Sequence, residues 1–249
     1  AARRSTGRRL MWLAALGVVF VGLGLAIGWY GLRPLVVVPR VLRAAVQDPS
    51  NLTATDEFAV CRGTATASEA GTVAAPFSGT ACLGFEFAIT ERQPSFIGLP
   101  WADAHLDDGV ATREFHLDGD HGSVAVAPES RRFSLDTDSS TITVDPTETP
   151  PERVRQFTAA RDIGSVSRLL AALPLFGRRR FVERRIDPGE AHLVAGRTDH
   201  REGTTTFVGD LVITDRSPRG FALGRLRAAA FPLVVAVVFV AAGSWALLV

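Results

Sequence analysis

The sequence contains no lysine: every one of its 27 basic residues is arginine. No lysine isopeptide can therefore form on this chain, and with the bias to alanine, glycine, valine and aspartate the composition is that of a GC-rich genome, such as a halophilic archaeon's. Cysteine and histidine are nearly absent too. Two cysteines and five histidines make seven potential soft ligands scattered over the chain, one fewer than the eight that a two-zinc site needs. We therefore expect no metal and no cofactor. No serine sits in a nucleophile elbow and no cysteine has a motif-linked histidine, so no catalytic residue is expected. "PFSGTAC" lacks the GK[ST] ending of a phosphate loop and leads into a strand, which makes it a structural turn.

Charge is missing from both ends. Leu10–Leu32 runs 23 residues without a charge and Ala228–Val249 runs 22, each long enough at 1.5 Å per residue to cross a hydrocarbon core of about 30 Å. The four arginines at positions 3, 4, 8 and 9 give the first run the look of a signal peptide, but signal cores are about 7 to 15 residues long and no small-x-small cleavage site follows. Trp12, Trp29, Tyr30 and Trp245 stand where interfacial anchors stand, and aromatic packing would account for them equally. Two spans return both termini to one side of a cell membrane. The arginines of the 1–9 tail favour the cytoplasm for that side, while Arg33, Arg40, Arg43, Arg216, Arg219, Arg225 and Arg227 flank the membrane from the other. Gly24 and Gly28 form a GxxxG that permits a homodimer, although glycine is common in membrane helices.

All 26 acidic residues and 23 of the 27 basic ones fall in 33–227, a net charge near −3 that argues against nucleic acid as a partner. The expected partners are the lipid bilayer and an unidentified membrane or protein partner. Residues 33–57 read as a juxtamembrane lead-in, partly helical after Pro39, and 58–227 as a β-rich domain. Its clearest strand is CLGFEFAIT, where Leu83, Phe85, Phe87 and Ile89 share one face. Shorter alternations predict strands at 58–66, 110–117, 123–127, 141–144, 181–186, 191–195 and 205–214. DGDHG (118–122) and DPGE (187–190) read as hairpin turns. One helix is expected at about 150–173, opened by a capping box of Thr149 and Glu152 with Pro150 and Pro151 in the first turn. The fold class is thus mainly β with an inserted helix, α+β, enclosed between two transmembrane helices.

Three groups invite a functional reading. His116, Asp118, Asp120 and His121, with Asp103, His105, Asp107 and Asp108, are dense enough for a mixed oxygen and nitrogen metal site, but a solvated hairpin tip explains them as well. Cys61 and Cys82, on neighbouring predicted strands, are small buried thiols or, in an oxidising compartment, a disulfide. Arg178, Arg179 and Arg180 are membrane-facing candidates, each worth about 1 kcal/mol beside anionic headgroups, or else an ordinary strand edge paired with Glu183.

"CRGTA" at 61–65, "APFSGTACLGFEFAITE" at 75–91, "RRRFVERRIDPGEAHLVAGRT" at 178–198 and "LVITDRSP" at 211–218 together resemble the GIDE, or beside-a-membrane, domain of mitochondrial E3 ubiquitin ligases and their prokaryotic relatives. "TPPERVRQF" is similar to the helix that prokaryotic members carry between the two halves. The residues that carry the resemblance are Cys61, Gly63, Pro76, Phe77, Ser78, Gly79, Cys82, Glu183, Pro188, Gly189, Gly196 and Asp215. It implies a domain set between two membrane spans that recognises substrates or partners. The eukaryotic ligases add a RING, and the seven cysteines and histidines of this sequence cannot build one. Two expectations follow: a non-catalytic, membrane-anchored recognition or scaffold module, or a component of a ubiquitin-like conjugation system whose RING or transfer activity lies on another chain.

Overall fold

The computed structural model describes residues 2–52, 58–93, 102–163, 177–201 and 204–248. Contacts divide the chain into a helical unit, Ala1–Ala44 with Ser217–Val249, and a β unit, Ala45–Arg216. The helical unit consists of α1 (Ala2–Leu32), a 3-10 turn at Arg33–Leu35, α2 (Val38–Arg43) and α4 (Pro218–Leu248). Both long helices extend beyond the uncharged runs, α4 by ten residues, because arginines outside a hydrocarbon core do not interrupt a helix. Ser217 opens α4, its Oγ accepting the Gly220 N–H at 3.2 Å, and Pro218 fills a first position that needs no donor. The two helices run antiparallel: a Cβ on Gly17 would meet the Gly243 carbonyl at 2.8 Å, one on Gly24 the Ala236 carbonyl at 2.9 Å, and one on Gly31 Pro232 at 3.2 Å. Phe20 and Phe239 pack edge to face between them, 5.4 Å apart. Both helices are long and apolar enough to cross a membrane.

The β unit is mainly strand, as expected. β1 (Val46–Gln47), β2 (Phe58–Ala67), β7 (Phe115–Asp118), β8 (Ser123–Asp136), β11 (Ala191–Arg201) and β12 (Thr204–Thr214) form one sheet in the order β1-β2-β11-β12-β8-β7, and a further β2–β7 pairing closes five of them into a ring. Closure runs through the short strand β7, which pairs with Thr64–Ala67 of β2 and Ser123–Val126 of β8. Its interior holds Cys61, Phe115, Leu117, Val126, Val194, Phe207 and Ile213. β5 (Gly84–Gln93), β6 (Ala102–Thr112), β9 (Ser139–Val144) and β10 (Arg179–Ile186) make a second, antiparallel sheet in the order β6-β5-β10-β9. One face of it meets α3 (Glu152–Ala160) across Phe77, Phe87, Ile89, Val154 and Phe181. β3 (Val73–Ala74) pairs with β4 (Ala81–Cys82).

Several sequence expectations need correction. The lead-in contributes a strand, β1, which pairs in parallel with β2. The expected strand at 110–117 breaks at Arg113–Glu114, so that β6 and β7 belong to different sheets. β6 begins eight residues earlier than expected, because an edge strand accepts the charges of DAHLDD that alternation counts against it. DPGE is a type II turn in character, with Gly189 at φ +87° and the Glu190 N–H near the Asp187 carbonyl. It is not a hairpin, because β10 and β11 lie in different sheets. The helix expected at 150–173 is described over Glu152–Ala160 and closes at Asp162, where φ is +49°; 164–176 lie outside the described residues. Pro151, not Thr149, is its N-cap and no side chain caps it. Glu152 instead pairs along the helix with Arg155 and accepts from Gln156 at 2.8 Å.

Candidate functional site

The motif residues around Pro76–Gly79 and Glu183, a hundred positions apart in sequence, meet. Glu183 lies on β10, the second strand from one edge of its sheet, and its carboxylate is 2% exposed. Its Oε2 accepts the Phe77 N–H at 2.7 Å and the Ser78 N–H at 3.2 Å, and its Oε1 accepts the Ser78 hydroxyl at 2.6 Å. Such a buried charge is tolerable only when charge-assisted bonds replace its water. Arg185, two residues along the strand and on the same face, approaches Glu183 at 3.4 Å and reaches the Ser78 hydroxyl, Thr80 and Asp187. The loop that Glu183 holds is closed by Gly79, whose φ is +76° and whose N–H donates to the Ala75 carbonyl at 3.0 Å. A side chain there would run into the Arg153 guanidinium from α3. Pro76 and Phe77 are buried, and the Phe77 ring stands edge to face on Phe87, Phe157 and Phe181 at 5.4 to 5.7 Å.

Cys82 is buried beside this loop, its thiol donating weakly to the Val73 carbonyl at 3.5 Å, and burial pushes its pKa up to about 11. Cys61 is free as well and lies inside the strand ring, where burial raises it to about 12. Buried thiols is thus the reading that stands. Pro188 and Gly189 form the turn after β10, which is tied to β2 by the Gly189 N–H on the Ala65 carbonyl at 2.8 Å. The remaining motif residues belong to the ring: Gly63 opposite His192, Gly196 at the irregularity between Ala195 and Arg197, and Asp215, whose Oδ2 accepts the Asp138 N–H at 2.9 Å. Apart from Asp215, just past the end of β12, the motif set therefore falls into two groups, one at the Glu183 loop and one along β2 and β11, joined through the 187–190 turn.

Of the three membrane-facing candidates, Arg178 pairs with Asp145 at 2.6 Å and Arg179 with Glu91, itself 2% exposed, at 3.0 Å. Arg180 is exposed. The acidic and histidine clusters separate on folding. Asp118 accepts the Thr66 hydroxyl at 2.8 Å, and the Asp120 N–H donates to Asp48, which also receives the Ser50 hydroxyl and N–H and is held below the usual carboxylate range by them. His105 bonds Asp108 at 2.7 Å, while Asp107 pairs with Arg161 at 2.9 Å. Among the described residues no three histidine, cysteine or acidic side chains converge as metal ligands. Gly24 packs on Ala236 and Val240 within its own chain, whereas the nearest atom to a Cβ on Gly28 is Ala236 Cβ at 3.5 Å.

Two features escaped the sequence. Arg161 stacks over Phe87 and Phe157 at 4.9 and 5.0 Å and lines a 380 Å³ cleft with Leu106, Asp107 and Asp162. No spacing signals it, since the aromatic plane it covers is assembled by the sheet. His192 on β11 is 1% exposed and neither ring nitrogen makes a well-formed hydrogen bond. Burial lowers its pKa below 6.5, against the opposing pull of the Glu190 and Asp215 carboxylates. Compared with models of protein families, with curated proteins and with solved structures, the chain matches none.

Proposed function

We propose that this protein is a non-catalytic recognition or scaffold module that its two long helices anchor in a membrane, with both termini on one side and a β unit similar to the GIDE domain at the surface. The observation that carries the reading is the use made of the motif residues. Glu183, Ser78 and Arg185 satisfy one another and the loop backbone, so their polar atoms position a surface loop and leave no activated nucleophile or acid-base pair among them. The helices support anchoring in the same way: Trp12, Val18, Leu25, Trp29, Phe231, Val237 and Trp245 are each 61–70% exposed, an apolar surface that water does not tolerate. The β unit carries all 26 acidic residues of the chain against 17 arginines, which favours a protein partner with basic character over nucleic acid.

Crosslinking in native membranes, followed by mass spectrometry, tests this. Deleting the β unit should abolish partner capture and leave membrane insertion intact, since insertion depends on the apolar helices alone. Capture that survives the deletion would refute the reading. The resemblance favours a second reading, membership of a ubiquitin-like conjugation system with the RING or transfer activity on another chain. Purified protein that discharges a charged conjugating enzyme onto added substrate, above a control without it, would make the chain a ligase itself and sink the non-catalytic proposal.

A further inference from the structure

The helical unit holds ten of the 27 arginines and none of the 26 acidic residues. Arg33, Arg40 and Arg43 follow α1, and Arg219 and Arg227 lie in the first turns of α4; all five are exposed and have no carboxylate partner among the described residues. Because α1 and α4 are antiparallel, these five gather at one end of the pair, the end from which the chain enters the β unit. Just below them, along the pair, runs an apolar groove of 520 Å³. Its floor is made by Gly24, Gly28 and Ala236, and its walls by Trp29, Leu233 and Val240. The groove exists because Gly28 has no side chain to fill it: α4 comes no nearer there than the 3.5 Å of Ala236, whereas at Gly24 it closes on the backbone. The lining from α1 runs from Gly24 to Leu32, eight residues or about 12 Å along the helix, so the shape is a slot parallel to the helices.

We infer that this slot binds one hydrocarbon chain of an anionic phospholipid, whose phosphate is met by Arg33 and Arg227. The inference rests on the reading that the pair spans a bilayer. A dry slot of this size, left empty, forfeits dispersion contacts on every wall, and a lipid tail is the apolar rod always present at that depth. The charge above it selects the headgroup. Arg33 follows directly on Leu32, at the mouth of the slot, and α4 brings Arg227 within two turns of Leu233. Each arginine near an anionic headgroup favours it about fivefold over a neutral one, so the two together give a preference of roughly 25-fold. The helical unit supplies no carboxylate to compete.

The experiment uses the full chain, reconstituted in vesicles of phosphatidylcholine with one fifth phosphatidylglycerol, then released in mild detergent for native mass spectrometry. The expected result is one retained lipid per chain, with phosphatidylglycerol over phosphatidylcholine at about six to one against one to four in the vesicles, a roughly 25-fold enrichment of the ratio. Arg33→Gln with Arg227→Gln should cut that enrichment to a few-fold while the chain still retains one lipid. Gly28→Leu, which fills the slot, should lose the bound lipid of either kind. Retention without headgroup preference in the wild type, or enrichment unchanged in the double arginine variant, overturns the proposal. So does a dimer that Gly28→Leu abolishes, because a second copy would then occupy the slot. Resistance to alkaline carbonate is read separately: a chain that carbonate releases refutes the spanning reading itself, whereas a resistant chain without lipid preference refutes only the site.

Discussion

Glutamine in place of Glu183 keeps the shape of a side chain that is 2% exposed while removing the charge on which its donors converge. One carboxylate oxygen takes the Phe77 and Ser78 N–H groups, the other the Ser78 hydroxyl and, at 3.4 Å, Arg185. A hydrogen bond to a charged group is worth about 1.5–3 kcal/mol and a neutral one about 0.5–1.5. The amide oxygen of glutamine can keep the two N–H groups as neutral bonds, but its NH2 then faces the Arg185 guanidinium, donor against donor. Weakening three bonds by about 1 kcal/mol each, and turning the attraction to Arg185 into repulsion, gives about 2–4 kcal/mol of local destabilisation. At 1.36 kcal/mol per tenfold, amide exchange at Phe77 and Ser78 should accelerate roughly 30- to 900-fold. Hydrogen exchange read by mass spectrometry on the full chain in nanodiscs measures it, with Asp145→Asn as the control. That control breaks only the half-exposed pair with Arg178, worth less than about 1 kcal/mol. Exchange in Glu183→Gln within threefold of the wild type would refute the account of the loop.

Three further outcomes are expected. His192 is buried with its pKa below 6.5, so the unfolded chain takes up a proton that the folded one refuses. Its neutral form therefore supports the fold above pH 6.5, and stability declines as the pH falls below that value; thermal unfolding between pH 5 and 7 should show the slope, and His192→Leu should flatten it. Cys61 and Cys82, raised to about 12 and 11, should resist maleimide at pH 8 in the folded protein and react on unfolding; rapid native labelling of either would contradict their burial. Gly79→Ala puts a Cβ at positive φ, costing about 1–2 kcal/mol, and pushes against Arg153. Its melting temperature should fall by on the order of 5 °C, and an unchanged value would mean that the loop relaxes freely.

What the sequence determined by itself was whatever local periodicity and composition encode. An uncharged run of 23 residues is a helix long enough to span wherever it folds, and alternation in CLGFEFAIT places Phe87 and Ile89 inward, both of which are buried. Turn chemistry was equally local: Pro188 and Gly189 specify the turn whether or not a hairpin follows. The order and pairing of the strands were decided only in three dimensions. DPGE looks the same joining two strands of one sheet or of two, and nothing near Arg113 says that β6 and β7 part company. The same holds for the site. Ser78 and Glu183 were both named as motif residues, but their bond spans 105 positions, and only the packing of the loop against β10 gives the buried Glu183 carboxylate its donors. The arginines at 178 and 179 show the converse. As sequence they are a bare positive run, and it is the antiparallel register of β10 between β5 and β9 that brings Glu91 and Asp145 to them and neutralises the charge.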